Sequence, residues 1–187
     1  MREKRYRDFA LFMTGIYTGL RVSDLVRLYV NDVAYLDVKG RFKIRDRMNL
    51  QEHKTGKFRD ILLHPTLRRV LGHYLRKRTA ERNTWAGFLF EPLFPSQRLR
   101  SNGEYRLTER QVWWLLRNAA SACGIKYKVG THSMRKTFGY MLYQNGVNIE
   151  VIQRIFNHAS PLITLAYIGI TQDDLDEAIM SLEALGS

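Results

Sequence analysis

The apolar residues of this chain keep one spacing for most of its length and change it once, and that change limits the folds open to it. Phe9, Phe12, Met13, Ile16, Tyr17 and Leu20 recur at helical intervals. From Val33 to His64 the period shortens toward two, with Phe42 and Ile44 alternating with Arg41, Lys43 and Arg45, and Lys39-Gly40 supplying a turn. Helical spacing then returns behind Pro65 at Leu67, Val70, Leu71, Tyr74 and Leu75. The pattern predicts an α+β, mainly α-helical domain with a small three-stranded antiparallel sheet near residues 33–64. Its third strand is expected at Phe58 to Leu63, which puts Lys54-Thr55-Gly56-Lys57 in the turn before it.

Local signals refine this outline. Gly19 marks the end of the first helix and leaves Arg21 at a helix junction, before a short helix of Val22, Leu25, Val26 and Leu28 that Asn31 and Asp32 should stop. Residues 83–107 read as an irregular connection anchored by Phe88, Leu89, Phe90 and Phe94. Thr108 and Gln111 form a capping box for a helix on Val112, Leu115, Leu116 and Ala119. Cys123 follows as an expected small buried hydrophobe, and a lone cysteine excludes an internal disulfide or a zinc cluster of cysteines. Thr131 is the expected N-cap of a helix with Met134, Phe138, Met141 and Leu142 buried, and His132 and Arg135 together on another face. Asn148 caps a helix through Ile152, Ile155 and Phe156, and Asn157 suits a left-handed residue at its end. His158 then opens a loop, Ser160-Pro161 restarts a helix carrying Leu162, Leu165 and Tyr167, and Thr171 begins an acidic amphipathic segment with Leu175, Ile179 and Leu182. With neither internal repeat nor linker, 187 residues suit a single domain with a real core.

Composition narrows the function classes. The chain is 45% apolar, which excludes a disordered protein. It has no apolar run of the roughly 18 residues that span a bilayer, and MREKRYRDF lacks the apolar stretch of a signal peptide. A cytoplasmic protein with no membrane partner is expected. A formal charge of +12 points to a polyanion, and nucleic acid is the commonest partner of a compact basic domain. The basic residues are grouped: Arg2, Lys4, Arg5 and Arg7; Arg41, Lys43, Arg45 and Arg47; Arg76, Lys77, Arg78 and Arg82; Lys126 and Lys128. The acidic end of the chain suits contact with protein better than with DNA.

Six residues carry chemistry: Arg21 in TGLRVSDL, Lys54 in HKTGK, His132 and Arg135 in THSMRKT, His158 in NHAS, and Tyr167 in LAYIG. Two guanidiniums can fork onto one phosphate, a Lys and two His can move protons, and a Tyr hydroxyl can attack phosphorus. Nothing in the set requires a metal or a cofactor. Singly, each is ordinary: an Arg near a helix start is usually a surface charge, a Lys in a turn is usually solvated, and any one of ten tyrosines is usually filler.

Their order removes that ambiguity. TGLR with Ser-Asp, KTGK before a strand, THSMRKT, and NH with Tyr nine residues on resemble the tyrosine recombinase (phage integrase) family, over the span from Asp8 to beyond Tyr167. The resemblance implies that Arg21 and Arg135 clamp the scissile phosphate and that Lys54 is the general acid, with Lys57 its competitor. It also implies that His132 supports proton transfer from the nucleophile, His158 hydrogen-bonds the phosphate, Tyr167 is the nucleophile, and Asp24 orients a neighbouring basic side chain. Asn157 replaces the usual Gly and Lys136 a frequent His, neither expected to touch the essential set. Residues 1–187 then form one catalytic domain, with the family's N-terminal core-binding and arm-binding domains absent. The partner implied is double-stranded DNA in the bacterial cytoplasm, at the nucleoid, with a homotetramer on paired sites for the full-length protein and a monomeric or weakly associating isolated domain. The C-terminal segment would pack on its own domain or dock on the next protomer. The alternatives are type IB topoisomerase-like relaxation and a non-catalytic DNA-binding relative.

Overall fold

The computed structural model describes residues 2–80, 87–97, 99, 103 and 105–181, without the side chains of residues 2–4, 175 and 178. Contacts divide the chain into two compact units, Met1–Arg135 and Lys136–Ser187.

In the first unit α1 (Arg2–Thr18) packs on α4 (Pro65–Arg78). Burying Thr14 and Thr18 is tolerable because each hydroxyl donates to the carbonyl four residues back, Ala10 at 2.7 Å and Thr14 at 2.6 Å. α4 starts as Pro65 predicts, with His64 Nδ1 accepting from the Thr66 amide at 3.2 Å. Its Leu67, Leu71 and Leu75 enter the core beside Leu11, Leu25, Met48, Phe88 and Phe94.

α2 (Val22–Leu25) is the expected short helix, but Asn31 and Asp32 do not stop the chain there. They lie inside a one-turn helix, α3 (Val30–Val33), where Asp32 accepts from the Tyr29 amide at 2.7 Å and so caps a new helix start. Beyond it β1 (Ala34–Leu36) pairs antiparallel with β2 (Phe42–Ile44), and β3 (Arg47–Gln51) with β4 (Phe58–Leu62). The small antiparallel sheet is thus two two-stranded ladders rather than one of three strands. The extended run from Phe42 to Gln51 changes partner at Arg45-Asp46, where the Arg45 amide still bonds the Val33 carbonyl and the Asp46 carbonyl already accepts from Leu63, both at 2.8 Å.

Phe88 begins a 3-10 turn, Phe88–Phe90, and is buried with Phe94, whereas Phe90, an expected anchor, is 72% exposed. α5 (Glu109–Ala122) has the Thr108–Gln111 capping box, and its buried row is Val112, Leu116 and Ala120. Ala119 lies off that row and Cys123 lies past the last helical residue, so both are exposed, contrary to the expectation of burial. α6 (Ser133–Gln144) starts later than a Thr131 cap would give, with the Ser133 hydroxyl accepting from the Gly130 amide at 3.0 Å.

The division between the units falls within α6. The second unit adds α7 (Ile149–Phe156), α8 (Pro161–Ile168) and α9 (Gln172–Met180). Asn148, Ser160 and Thr171 cap these helices through their side chains, and Asn157 is left-handed at φ 55°. Ile152, Phe156 and Ile168 form the small core with Phe138 and Leu142. Met141, expected on the buried stripe of α6, is exposed, as are Leu162 and Ile179. Expectations for Arg82, residues 83–86 and Leu182 lie outside the described residues, as do those for the side chains of Arg2, Lys4 and Leu175. No helix among the described residues is long and apolar enough to cross a membrane.

Gly139 of α6 leaves no room for a side chain, because a Cβ there would lie 2.6 Å from Phe156 and 2.7 Å from Ile168. An alanine would gain about 1 kcal/mol of helix propensity and lose more, since overpacking costs about 1–3 kcal/mol and neither neighbour is a flexible chain end. Gly139→Ala should therefore lower the thermal midpoint by a few degrees, about 2–4 °C per kcal/mol for a chain of this size; an unchanged or higher midpoint by circular dichroism would contradict this packing.

Candidate active site

In the first unit the site begins where α1 ends. Gly19 takes φ +60°, a backbone state open to Gly at little cost, and the chain then straightens so that Arg21, at φ −66° and ψ 149°, precedes α2. The Arg21 guanidinium Nη1 donates to Glu52 Oε2 at 2.6 Å. Glu52, 3% exposed, follows β3 and also accepts from the Thr55 hydroxyl at 2.7 Å and from Arg59 Nη1 at 3.4 Å. Burial alone would raise the Glu52 pKa, but the hydrogen bonds from Thr55 and Arg21 and the charges of Arg21 and Arg59 outweigh it and hold the carboxyl below its ordinary range. Burial pulls the Arg59 guanidinium down against the pull of Glu52, yet a guanidinium stays charged in proteins.

Asp24 is 4% exposed and its Oδ1 accepts from the His53 amide at 2.9 Å, while Oδ2 is buried without a hydrogen-bond partner among the described residues. Asp24 thereby grips the turn that bears Lys54, and its charge also acts on the Arg59 guanidinium. That turn is closed by the Glu52 amide on the Lys57 carbonyl at 2.9 Å and by the Gly56 amide on the Glu52 carbonyl at 2.8 Å. Gly56 sits at φ +66°. Lys54 and Lys57 are both exposed, and among the described residues Lys54 is committed to no hydrogen bond or ion pair.

Arg135, in the first turn of α6, is 3% exposed and its Nη1 donates to the Gly19 carbonyl, two residues before Arg21. Both arginines are thus tied to one junction. His132 lies in the turn just before α6 and is exposed, at the edge of the helix rather than on its side.

The second unit holds the other two residues. The left-handed Asn157 ends α7, and His158 is pinned there by its amide on the Gln153 carbonyl at 3.1 Å and by Gln153 Nε2 on its own carbonyl at 3.0 Å. His158 Nδ1 lies 3.1 Å from the hydroxyl of the fully buried Thr164, which donates its single proton to the Ser160 carbonyl at 3.3 Å. Tyr167, one turn beyond Thr164 on α8, meets the imidazole edge-on at 5.0 Å and the Phe156 ring at 5.5 Å. The Lys136 ammonium lies 5.5 Å from the centre of the Tyr167 ring, so this departure does touch the essential set.

Glu52, Arg59 and Thr164 are the residues that motif reading passed over. Glu52 did carry a signal: Met48, Leu50 and Glu52 alternate along β3 and its continuation, and Arg59, Ile61 and Leu63 along β4, so a carboxylate and a guanidinium fall at inward positions. Several basic residues are paired instead, Arg41 with Asp37 at 2.8 Å, Arg47 with Asp60 at 2.7 Å and Arg78 with Glu91 at 2.6 Å.

Comparison with known proteins identifies the family. Residues 1–173 match the phage integrase family. The chain is 38% identical over 170 residues to the probable integrase/recombinase YoeC of Bacillus subtilis (strain 168), covering 91% of this chain and 81% of that one. Among solved structures it is similar to a XerA recombinase, at 26% identity and TM-score 0.68 over 96% of this chain and 58% of that one. In fold it also matches a XerH site-specific recombinase bound to a palindromic difH substrate in a post-cleavage complex, at 22% identity and TM-score 0.69 over 97% of this chain and 47% of that one. The chain spans about half the length of the curated Xer tyrosine recombinases it matches, 54% for that of Pyrococcus furiosus and 51% for that of Caulobacter vibrioides. With motifs, fold and relatives in agreement, the chain belongs to the phage integrase family, that of the tyrosine recombinases.

Proposed function

We propose that this chain cleaves and rejoins DNA strands in site-specific recombination through a 3′-phosphotyrosyl intermediate. The observation that carries the reading is the Tyr167 ring against an imidazole that Thr164 contacts at Nδ1, with the His158 main chain pinned by Gln153. Family membership and the charge of +12 support DNA as the substrate.

In this reaction the Tyr167 hydroxyl oxygen bonds to phosphorus as the bond to the 5′ oxygen breaks. His132 assists loss of the phenolic proton, and Lys54 gives a proton to the departing oxygen. Arg21, Arg135 and His158 meet the charge that builds on the non-bridging oxygens. Attack by a 5′ hydroxyl reverses the sequence and releases the tyrosine, so the phosphodiester energy is conserved without a nucleotide cofactor. For the full-length protein we expect a homotetramer on paired sites, acting in the bacterial cytoplasm.

On a nicked suicide substrate resolved by denaturing gel, the wild-type chain should form a covalent adduct and Tyr167→Phe none; an adduct retained in that variant would disprove the nucleophile. Arg21→Ala and Arg135→Ala should each slow adduct formation by about 10²- to 10³-fold, the usual loss for one preorganised donor. A substrate with a 5′-bridging sulfur, whose thiolate leaves without a proton, should rescue Lys54→Ala and leave Lys57→Ala as it was. Rescue of Lys57→Ala instead would exchange the two lysines. Affinity for duplex DNA should fall steeply with salt, with a log–log slope of about 0.9 per phosphate contact; a flat response would remove the electrostatic interface.

A further inference from the structure

Glu52 is an anion set among the groups that receive a phosphate, a place where negative charge repels substrate. Yet it is 3% exposed and held at short range, 2.6 Å from Arg21 and 2.7 Å from the Thr55 hydroxyl. Both of these bonds end on the same oxygen, Oε2, while Oε1 faces Arg59 at 3.4 Å. Arg21 comes from the junction after α1, and Thr55 adjoins Lys54 in the turn between β3 and β4. One carboxylate oxygen therefore joins the phosphate-clamping arginine to the turn that carries the proton donor.

The arrangement leaves Arg21 able to act. A guanidinium has five N–H donors, and among the described residues this one spends only Nη1 on Glu52. With Arg21 21% exposed and Glu52 almost wholly buried, the carboxylate grips the arginine from within and leaves its outer side to solvent. A long side chain with many rotamers is thereby restrained, and Lys54, uncommitted among the described residues, is carried on a turn fastened to the same atom.

We propose that Glu52 is a positioning residue for strand cleavage, setting Arg21 and the Lys54 turn in register through Oε2. This rests on the recombinase reading above. A purely structural ion pair would be expected to affect folding and DNA binding together. A positioning role separates them: loss of the carboxylate removes a negative charge from beside the phosphate, so binding holds or tightens while the chemical step slows.

The test compares wild type, Glu52→Gln and Thr55→Val on the nicked suicide substrate, with duplex affinity measured alongside. Glu52→Gln should bind at least as tightly as wild type and form adduct about 10- to 100-fold more slowly, the scale of loss from a misplacement near 1 Å. Thr55→Val changes an exposed turn residue and should keep the fold; it should be slowed less, and largely rescued by the 5′-bridging sulfur substrate, because only the Lys54 side of the link is cut. Glu52→Gln should be rescued only in part, and should add little to Arg21→Lys in the double variant. Wild-type adduct formation with Glu52→Gln at full rate overturns the assignment, as does a loss fully additive with Arg21→Lys or one matched by an equal loss of binding. Should Glu52→Gln fail to fold, an unslowed Thr55→Val alone overturns it. Absence of any Tyr167-dependent adduct in wild type overturns the recombinase reading and this assignment with it.

Discussion

A carboxylate taken out of water must be answered by cations and hydrogen-bond donors, and the first unit depends on meeting that requirement at Glu52. An isolated buried charge costs several kcal/mol even after relaxation. Here the answer comes from three directions in sequence: Arg21 from the end of α1, Thr55 from the adjoining turn, Arg59 from β4. Asp24 meets the same requirement at one oxygen only, with the His53 amide. Together the two acids fasten the helical junction to the β3–β4 turn, and the groups that would handle a phosphate are held by a charge opposite to their own.

Much of the fold could be read from spacing and caps. The periods of α4 and α7 are those of the buried faces, and Pro65, Thr108, Asn148 and Ser160-Pro161 begin helices where their chemistry says they should; in α1 the buried face is instead Ala10, Leu11, Thr14 and Thr18, with Phe9 and Phe12 exposed. Period alone, however, reports which face is apolar and not whether anything covers it. Phe90, Met141, Leu162 and Ile179 have the right spacing or setting and remain exposed. Cys123 fails for a simpler reason, since the helix ends one residue earlier and the row it would extend is lost. Asn31 and Asp32 show the double meaning of capping residues, which close one helix or open the next depending on whose amide they meet.

The candidate site was legible as a set of donors and a nucleophile because their side-chain chemistry is specialised. Its supports were not, because Glu52 and Thr164 are ordinary residues whose roles follow from burial. Glu52 could be found only by asking what a carboxylate does at an inward strand position. Thr164 offered no such question, being a small residue one turn from Tyr167 in an apolar helix. Lys136 read as a neutral departure until its ammonium proved to lie over the Tyr167 ring.

The close approach of Phe156 and Ile168 to Gly139 has a mechanical consequence. Phe156 also meets the Tyr167 ring, and Ile168 is its neighbour in sequence, so the segment carrying the hydroxyl bears directly on a helix backbone. Hydrogen bonds stretch and bend at modest cost, whereas repulsion between atoms in contact rises steeply over a few tenths of an ångström. A ring braced in this way resists being pushed inward far more than it resists being drawn outward. Its compliance is one-sided, and the soft direction is the one away from the α6 backbone.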